Sequence, residues 1–158
     1  MLYLDYQKFL TSLLKNVSAL NITISNLELD HIAYQTSSSI DYDKTKPKLL
    51  QIADEVHEAI VGGRRVGIFK LHSPIHFDGY VIPAIEIIEP KQGEKHTTGL
   101  QHAEFVIDES FESFIAKYPT IDWDTSSIHR DEYAHLKLHF KDGLTVKFHH
   151  QSILNTTS

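Results

Sequence analysis

The stretch AIEIIEPKQGEKHTTGLQHAEFVI, from Ala84 to Ile107, contains the end of one apolar, strand-like run and the whole of a second one. Glu86 lies among isoleucines in the first run, and His102 and Glu104 lie in the second. A polar loop separates the two runs. Ionisable side chains inside two successive strands either point to water from a sheet or converge in space and bind something.

The predicted elements occur in the same order before and after this loop. An amphipathic pattern predicts a leading helix over 3–20, because apolar residues recur at helical spacing. Each half then shows a strand, a helix and three strands. The first half comprises a strand over 27–36, a helix within 37–55 and strands over 56–61, 65–72 and 80–88. The second comprises a strand over 99–107, a helix over 109–118 and strands near 122–129, over 133–140 and over 144–150.

Two glycine-containing turns support this assignment. Gly62-Gly63 and Asp142-Gly143 are hairpin signals between strand candidates. Each half also begins with a histidine at the same place in its first strand, His31 and His102. The sequence therefore predicts an α+β fold, one domain over 1–158. It has an N-terminal helix in 1–25 and two βαβββ modules, 26–90 and 98–152, which form a shared curved sheet cleft.

Composition limits the class of protein. The chain has 158 residues with 41% hydrophobic and 23% charged residues, as in an ordinary globular domain. A formal net charge of -6 disfavours nucleic acid and anionic membranes as partners. The absence of cysteine excludes disulfides and thiolate sites. The first residues carry Asp5 and lack the pattern of a secretory signal, so we expect a cytoplasmic protein. We expect it to be a monomer or a homodimer.

Strand alternation gives several predicted strands one apolar face and one face with ionisable groups. His31, Glu86 and His102 lie on such polar faces. They are solvated groups if the sheet buries one face and leaves the other wet. If the two halves pack side by side, the same three residues converge in one cleft. Two imidazoles and a carboxylate suit a divalent metal ion with open coordination positions.

Five motifs in order resemble one known family. They are DHIAYQ, IVGGRRVGIFKL with SPI, AIEIIEPKQGEK, GLQHAEFVI and DGLTVKFHHQSI, spread from about Asp30 to Ile153. The chain thus resembles the YecM-like family of the vicinal oxygen chelate superfamily, the glyoxalase and extradiol dioxygenase group. This resemblance implies a glyoxalase-like fold and a metal site with ligands from the first and last strand of each module.

The implied ligand set is incomplete. His31, Glu86 and His102 fill three positions, whereas Lys147 stands where the superfamily usually has a fourth ligand, a glutamate. A lysine ammonium has no lone pair and repels a cation. His149 on the same strand face and Glu104 beside His102 are the alternative fourth ligands. A site of two histidines and one carboxylate, completed by water, is the other arrangement.

The resemblance and the residue types together suggest roles. A divalent ion, whether Zn, Ni, Mn or Fe, would polarise a substrate oxygen or activate water. Glu104 is a candidate general base or a residue that orients the ligands, and Lys147 is a candidate catalytic residue. Basic groups predicted beside the cleft favour a small anionic ligand: Lys137, His135, His139 and His149. Arg64 and Arg65, after the glycine turn, are predicted as surface charges.

Three function classes remain open at this stage. The first is a metal-dependent isomerase, lyase or dioxygenase acting on a small anionic, oxygen-bearing substrate. The second is a non-catalytic module that binds a small molecule. The third is a protein-interaction module with a degenerate metal site. Lys147 would then indicate that a metal ligand has been lost. The three ligand types favour the first two classes, and the missing fourth ligand weakens the first.

Overall fold

The computed structural model describes residue 2 and residues 4–155. The leading helix, α1, spans Tyr6–Ala19. It starts after Asp5, whose side chain accepts a hydrogen bond from the Lys8 backbone amide and so caps the helix. Tyr3, the first apolar residue of the predicted helix, lies outside the described residues. Leu10, Leu13 and Val17 form the buried face of α1 and pack into the main core.

The first half follows the predicted order. It consists of β1 (Glu28–Gln35), α2 (Ser39–Leu49), β2 (Ala53–Val61), β3 (Arg64–Phe77) and β4 (Tyr80–Ile88). Ser38 caps α2 by accepting a hydrogen bond from the Asp41 amide. The predicted Gly62-Gly63 turn joins β2 to β3, and both glycines have positive φ, as a tight hairpin of this kind requires.

The second half has one strand fewer than predicted. Its elements are β5 (Gly99–Val106), α3 (Phe111–Ala116), β6 (Leu136–His139) and β7 (Thr145–His149). The strand expected near 122–129 is reduced to one bridge, between Asp124 and Lys137. Its backbone is drawn into a turn, because the Asp124 carboxylate accepts hydrogen bonds from the Ser126 amide and hydroxyl.

The seven strands within residues 4–155 form one sheet in the order β2-β3-β4-β1-β5-β7-β6. Within the halves, β1 pairs in parallel with β4, and β5 pairs in parallel with β7. The halves join through the antiparallel pair β1 and β5. The halves therefore pack edge to edge, as predicted. Their histidine-bearing first strands, β1 and β5, are neighbours at the centre of the sheet.

The two faces of the sheet differ as the alternation predicts. The apolar face packs against α1 and α3 and contains Ile32, Ile85, Ala103, Phe105 and Phe148. The other face contains most of the ionisable residues of the central strands. No helix in the part of the chain that the structure describes is long and apolar enough to cross a membrane.

Candidate metal centre

The site begins at an irregularity in β1. The pairing register of β1 with β5 shifts between Leu29 and His31, which marks a bulge at Asp30. Bulges re-aim side chains in a strand. Here the buried Asp30 and the next residue reach each other, and Asp30 Oδ2 accepts a hydrogen bond from His31 Nδ1 at 2.8 Å. A carboxylate on Nδ1 leaves Nε2 as the nitrogen directed to the site.

His31 Nε2 faces two carboxylates. It lies 3.2 Å from Glu104 Oε1 and 3.9 Å from Glu86 Oε2. The imidazole is completely buried, yet Nε2 makes no hydrogen bond of acceptable geometry. A buried polar atom without a partner is costly, so this nitrogen indicates a place where something binds.

His102 repeats the arrangement from the neighbouring strand. Its Nδ1 donates to Gln101 Oε1 at 2.7 Å, since an amide oxygen can only accept. Its Nε2 lies 3.6 Å from Glu86 Oε1 and is likewise buried without a hydrogen-bond partner. The ring centroids of His31 and His102 are 6.1 Å apart. Two imidazoles and two carboxylates thus converge on one point.

His149 has a different position from the other two histidines. Its Nε2 lies 2.7 Å from Asp30 Oδ1 and its Nδ1 lies 3.0 Å from Glu104 Oε2. Asp30, His31, Glu104 and His149 therefore form a closed ring in which imidazoles and carboxylates alternate. Both nitrogens of His149 are engaged by carboxylates, so this histidine holds Glu104 and Asp30 in place.

The ring sets the charge of its members. Burial by itself would lower the pKa of His31, but Asp30 and Glu104 outweigh it and raise that pKa well above the ordinary value. Burial opposes ionisation of Glu104, but His149 and His31 outweigh it and hold the pKa of Glu104 well below its ordinary value. Burial and the nearby Lys147 lower the pKa of His102 well below that of a free imidazole.

Lys147 lies one strand away from the cluster. It is the register partner of Glu104 on β5 and of Lys137 on β6. Burial lowers its pKa, although Glu104 and Glu86 act against that. Among the described residues no carboxylate comes within ion-pair distance of its ammonium group. The half-buried amine is thus directed to the cavity without a direct partner.

A cavity of about 220 Å³ adjoins the cluster. Glu86, Glu104, Lys147, His135 and His149 line it, together with residues from β2, β3 and the C-terminal segment. Of the predicted basic groups, Lys137 and His139 do not reach this cavity. They contact Asp124 instead, at 3.7 and 2.8 Å.

The prediction for Arg64 is wrong. Arg65 is the surface arginine, and it forms ion pairs with Glu89 and Asp43. Arg64 lies on the opposite face of β3, lines the cavity and has a buried Nε without a hydrogen-bond partner. The alternation of β3 explains the difference, since Val66 and Ile68 line the same cavity. The turn signal alone could not show which arginine points inward.

The donor set fits a divalent metal ion. One atom each from His31, His102 and Glu104 lies within 4.8 Å of the other two, and Asp30, His31 and His149 form a second such group. Glu86 completes the first group through its contacts to both Nε2 atoms. Imidazole nitrogen and carboxylate oxygen are ligands that Zn, Ni, Mn and Fe accept.

Two of the residues that orient this site were not singled out in the sequence. Asp30 and Gln101 each precede a ligand histidine and hold its Nδ1. Their position gives a usable signal in retrospect, because ligand histidines usually donate their second nitrogen to an oxygen. The bulge that turns Asp30 toward His31 depends on strand pairing and has no mark in the sequence.

Comparison with known proteins places the chain among relatives. A family model described as YecM protein matches residues 1–157. Protein YecM of Escherichia coli is 26% identical over 164 residues, covering 94% of this chain and 87% of that protein. An uncharacterised protein of Haemophilus influenzae is 27% identical over 88 residues, 56% of this chain and 46% of that protein. The chain thus matches less than half of the Haemophilus protein.

Solved structures share the fold. A structural-genomics structure of protein EC4020 superposes with a TM-score of 0.77 at 21% identity, covering 97% of this chain and 87% of that one. Methylmalonyl-CoA epimerase in complex with methylmalonyl-CoA and NH4+ superposes with a TM-score of 0.57 at 14% identity, covering 80% and 96%. At these identities the likeness shows the fold alone. The predicted glyoxalase-like α+β fold is confirmed.

Proposed function

The chain belongs to the YecM family, and on this premise we propose that it binds a divalent metal ion and acts on a small anionic, oxygen-bearing molecule. One observation carries the proposal. His31 Nε2 and His102 Nε2 are buried, lack well-aligned hydrogen bonds and both face Glu86, and Glu104 lies beside His31 Nε2. In a protein interior such nitrogens are satisfied when they coordinate a cation.

The proposed ligands are His31, His102, Glu86 and Glu104. Glu104 supplies the second carboxylate, which the superfamily draws from the position of Lys147. Asp30 and Gln101 fix the two imidazoles with Nε2 toward the site. When bound, the ion would polarise a carbonyl or hydroxyl oxygen of the substrate. His149 keeps Glu104 ionised and in position.

For the chemistry we propose proton transfer next to a substrate carbonyl, as in an isomerase. Glu104 is a weak base, because its pKa is held well below the ordinary value. Lys147 suits the task better, since its half-buried amine lines the cavity without a carboxylate partner and burial lowers its pKa from the ordinary value of a lysine. We therefore assign the proton transfer to Lys147 Nζ and the orienting role to Glu104. This choice sets aside lyase and dioxygenase chemistry.

A non-catalytic binding module is the second candidate. Lys147 favours it, because the superfamily has a metal-binding carboxylate in that place and an ammonium group there repels a cation. The two candidates differ in one observable property. An isomerase exchanges the substrate proton next to the carbonyl with deuterium from the solvent, and a binding module does not.

Calorimetric titration of zinc or nickel tests the metal site. We expect the wild type to bind one ion per chain and His102→Ala to bind it at least about tenfold more weakly, a loss of about 1.4 kcal/mol. His76→Ala is the matched control, because His76 is exposed on β3 away from the cluster. Equal affinity in all three proteins would rule the proposed site out.

A further inference from the structure

Two adjacent arginines at the start of β3 differ in their ion-pair partners. Arg65 donates to Glu89 and Asp43, and these carboxylates neutralise it. Arg64 forms no ion pair with any described residue, and its Nε is buried without a hydrogen-bond partner. Arg64 lines the cavity beside the proposed metal site. A partly buried guanidinium without a counter-charge is a binding group for an anion.

The loop before β6 adds a second guanidinium. Arg130 lines the same cavity from this loop, just after the segment in which a strand was expected. Tyr133 in the same loop has a φ of +57°, which is strained for an aromatic residue. Strain of this kind persists only where the surrounding structure enforces it, and it is common at ligand sites. Tyr133 also lines the cavity, so the strained residue lies at its wall.

His135 places a free hydrogen-bond acceptor on this side of the cavity. Its Nδ1 donates to the Tyr133 carbonyl at 2.7 Å, since a carbonyl oxygen can only accept. Burial lowers the pKa of His135 to about 4, so the ring is neutral and Nε2 carries a lone pair. This Nε2 is buried, without a hydrogen-bond partner, on a residue that lines the cavity. It is an acceptor for a hydroxyl group of a ligand.

The balance of charge around the cavity is positive. Arg64, Arg130 and Lys147 face two carboxylates, Glu86 and Glu104. Those two carboxylates are already the partners of His31 and His102 at the metal centre. A neighbouring depression shares Arg64, Arg130 and Tyr133 with the cavity and adds one further cation, Lys91, and one carboxylate, Glu132. Cationic side chains thus outnumber carboxylates there as well.

We propose that Arg64 and Arg130 form a subsite for the oxyanion group of the ligand, a carboxylate or a phosphate, with His135 accepting from a neighbouring hydroxyl. The proposal deepens the proposed function, on which it rests for the statement that the other end of the ligand reaches His31 and His102. The ligand class is a small hydroxylated acid or phosphate ester. A volume of about 220 Å³ is below the roughly 300–1,000 Å³ of sites for drug-sized ligands.

The test uses metal-free, EDTA-treated protein, so that it does not depend on the metal site. Inorganic phosphate and malonate are titrated separately at low ionic strength, where screening is weak. We expect wild type to bind at least one of them in the millimolar range. Arg64→Gln and Arg130→Gln should each weaken that binding by at least about tenfold. Arg65→Gln is the matched control and should change it by less than about twofold.

The outcomes separate this proposal from the preceding one. Failure of wild type to bind either anion would overturn the subsite, and so would equal losses in Arg64→Gln and Arg65→Gln. Melting curves show that each variant is folded. Metal titration of the same proteins is the second readout. If the wild type binds no metal but Arg64→Gln still weakens anion binding, the proposed function fails and the subsite remains supported.

Discussion

His31 is the residue on which the site depends most. Its two nitrogens have separate tasks, because Asp30 holds Nδ1 and the glutamates face Nε2. The same carboxylates that orient the ring also stabilise its protonated form. If the chain binds metal as proposed, the ion and a proton would compete for this nitrogen, and this competition would have a measurable consequence.

Metal affinity should rise with pH through neutrality. Asp30 and Glu104 raise the pKa of His31 well above its ordinary value, so an ion that binds Nε2 would displace a proton at pH values where a free imidazole is already neutral. Affinity then increases up to about tenfold per pH unit until the pH exceeds that pKa. His102 adds nothing to this dependence near neutrality, since its pKa is lowered. Titrations at pH values between about 6 and 8 measure it, and a constant affinity above the ordinary pKa of histidine would contradict it.

Lys147→Glu should strengthen metal binding and weaken the metal-free protein. The change replaces a cation beside Glu104 by a third carboxylate that can bind the ion, so affinity should rise at least about tenfold, or about 1.4 kcal/mol. Without metal the added carboxylate is unpaired next to Glu104 and Glu86, which should cost about 1–3 kcal/mol of unfolding free energy.

Melting temperatures of wild type and Lys147→Glu, each with EDTA and with zinc or nickel, measure both effects. Lys147→Gln is the control that removes the cation without adding a ligand. If Lys147→Glu melts like wild type in both conditions, the polar groups do not converge on one site.

At the scale of single residues, strand alternation was sufficient to select His31, Glu86 and His102, because period two depends only on the local backbone. Whether they converge depends on strand pairing, and the structure brings them together. The surface assignment of Arg64 failed for the same reason that Asp30 was missed. Both depend on local strand geometry, at a hairpin and at a bulge, which composition does not encode.

The C-terminal segment is the element that closes one side of the site. Ile153 packs against Ile68 and Ala84 in a small separate core. Its backbone amide donates to Asp30 Oδ2 at 2.9 Å, the oxygen that also binds His31. The segment thus links the end of the chain to the bulge in β1. It also lines the cavity through Ile153 and Gln151.

Ile153→Ala should destabilise the protein and weaken the attachment of the C-terminal segment to the sheet. Removing a buried isoleucine side chain costs about 2–4 kcal/mol in a core that cannot collapse around the gap. Denaturant unfolding measures it. Ile60→Ala is the matched control, because Ile60 on β2 is 69% exposed, and surface changes stay within about 0.5 kcal/mol. Equal midpoints for the two variants would show that the segment does not stabilise the fold.

Among the elements, the hairpins and capped helices were predictable because their signals are local: glycine turns, and serine or aspartate at helix starts. The strand near 122–129 was not. Its alternation is weak, and Asp124 offers the backbone a turn in place of a ladder. The loop that follows carries Arg130 and Tyr133 to the cavity, and the sequence did not indicate either of them as a site residue.

At the scale of the molecule, the site arises from the way the two halves join. The antiparallel pair β1 and β5 sets His31 opposite Glu104, and Ala33 opposite His102. The parallel partner β4 brings Glu86 to the level of Ala33. The doubled order of elements made this pairing predictable. The central claim is that the histidines and glutamates of the three strands bind one metal ion.

An anomalous difference map, from crystals grown with zinc or nickel and measured at the absorption edge of the metal, tests that claim most directly. We predict one strong peak about 2.0–2.2 Å from both His31 Nε2 and His102 Nε2, with Glu86 or Glu104 oxygen as a further ligand. His102→Ala crystals grown in the same way should lose the peak. Peaks only at exposed histidines such as His76, with none between His31 and His102, would contradict the account.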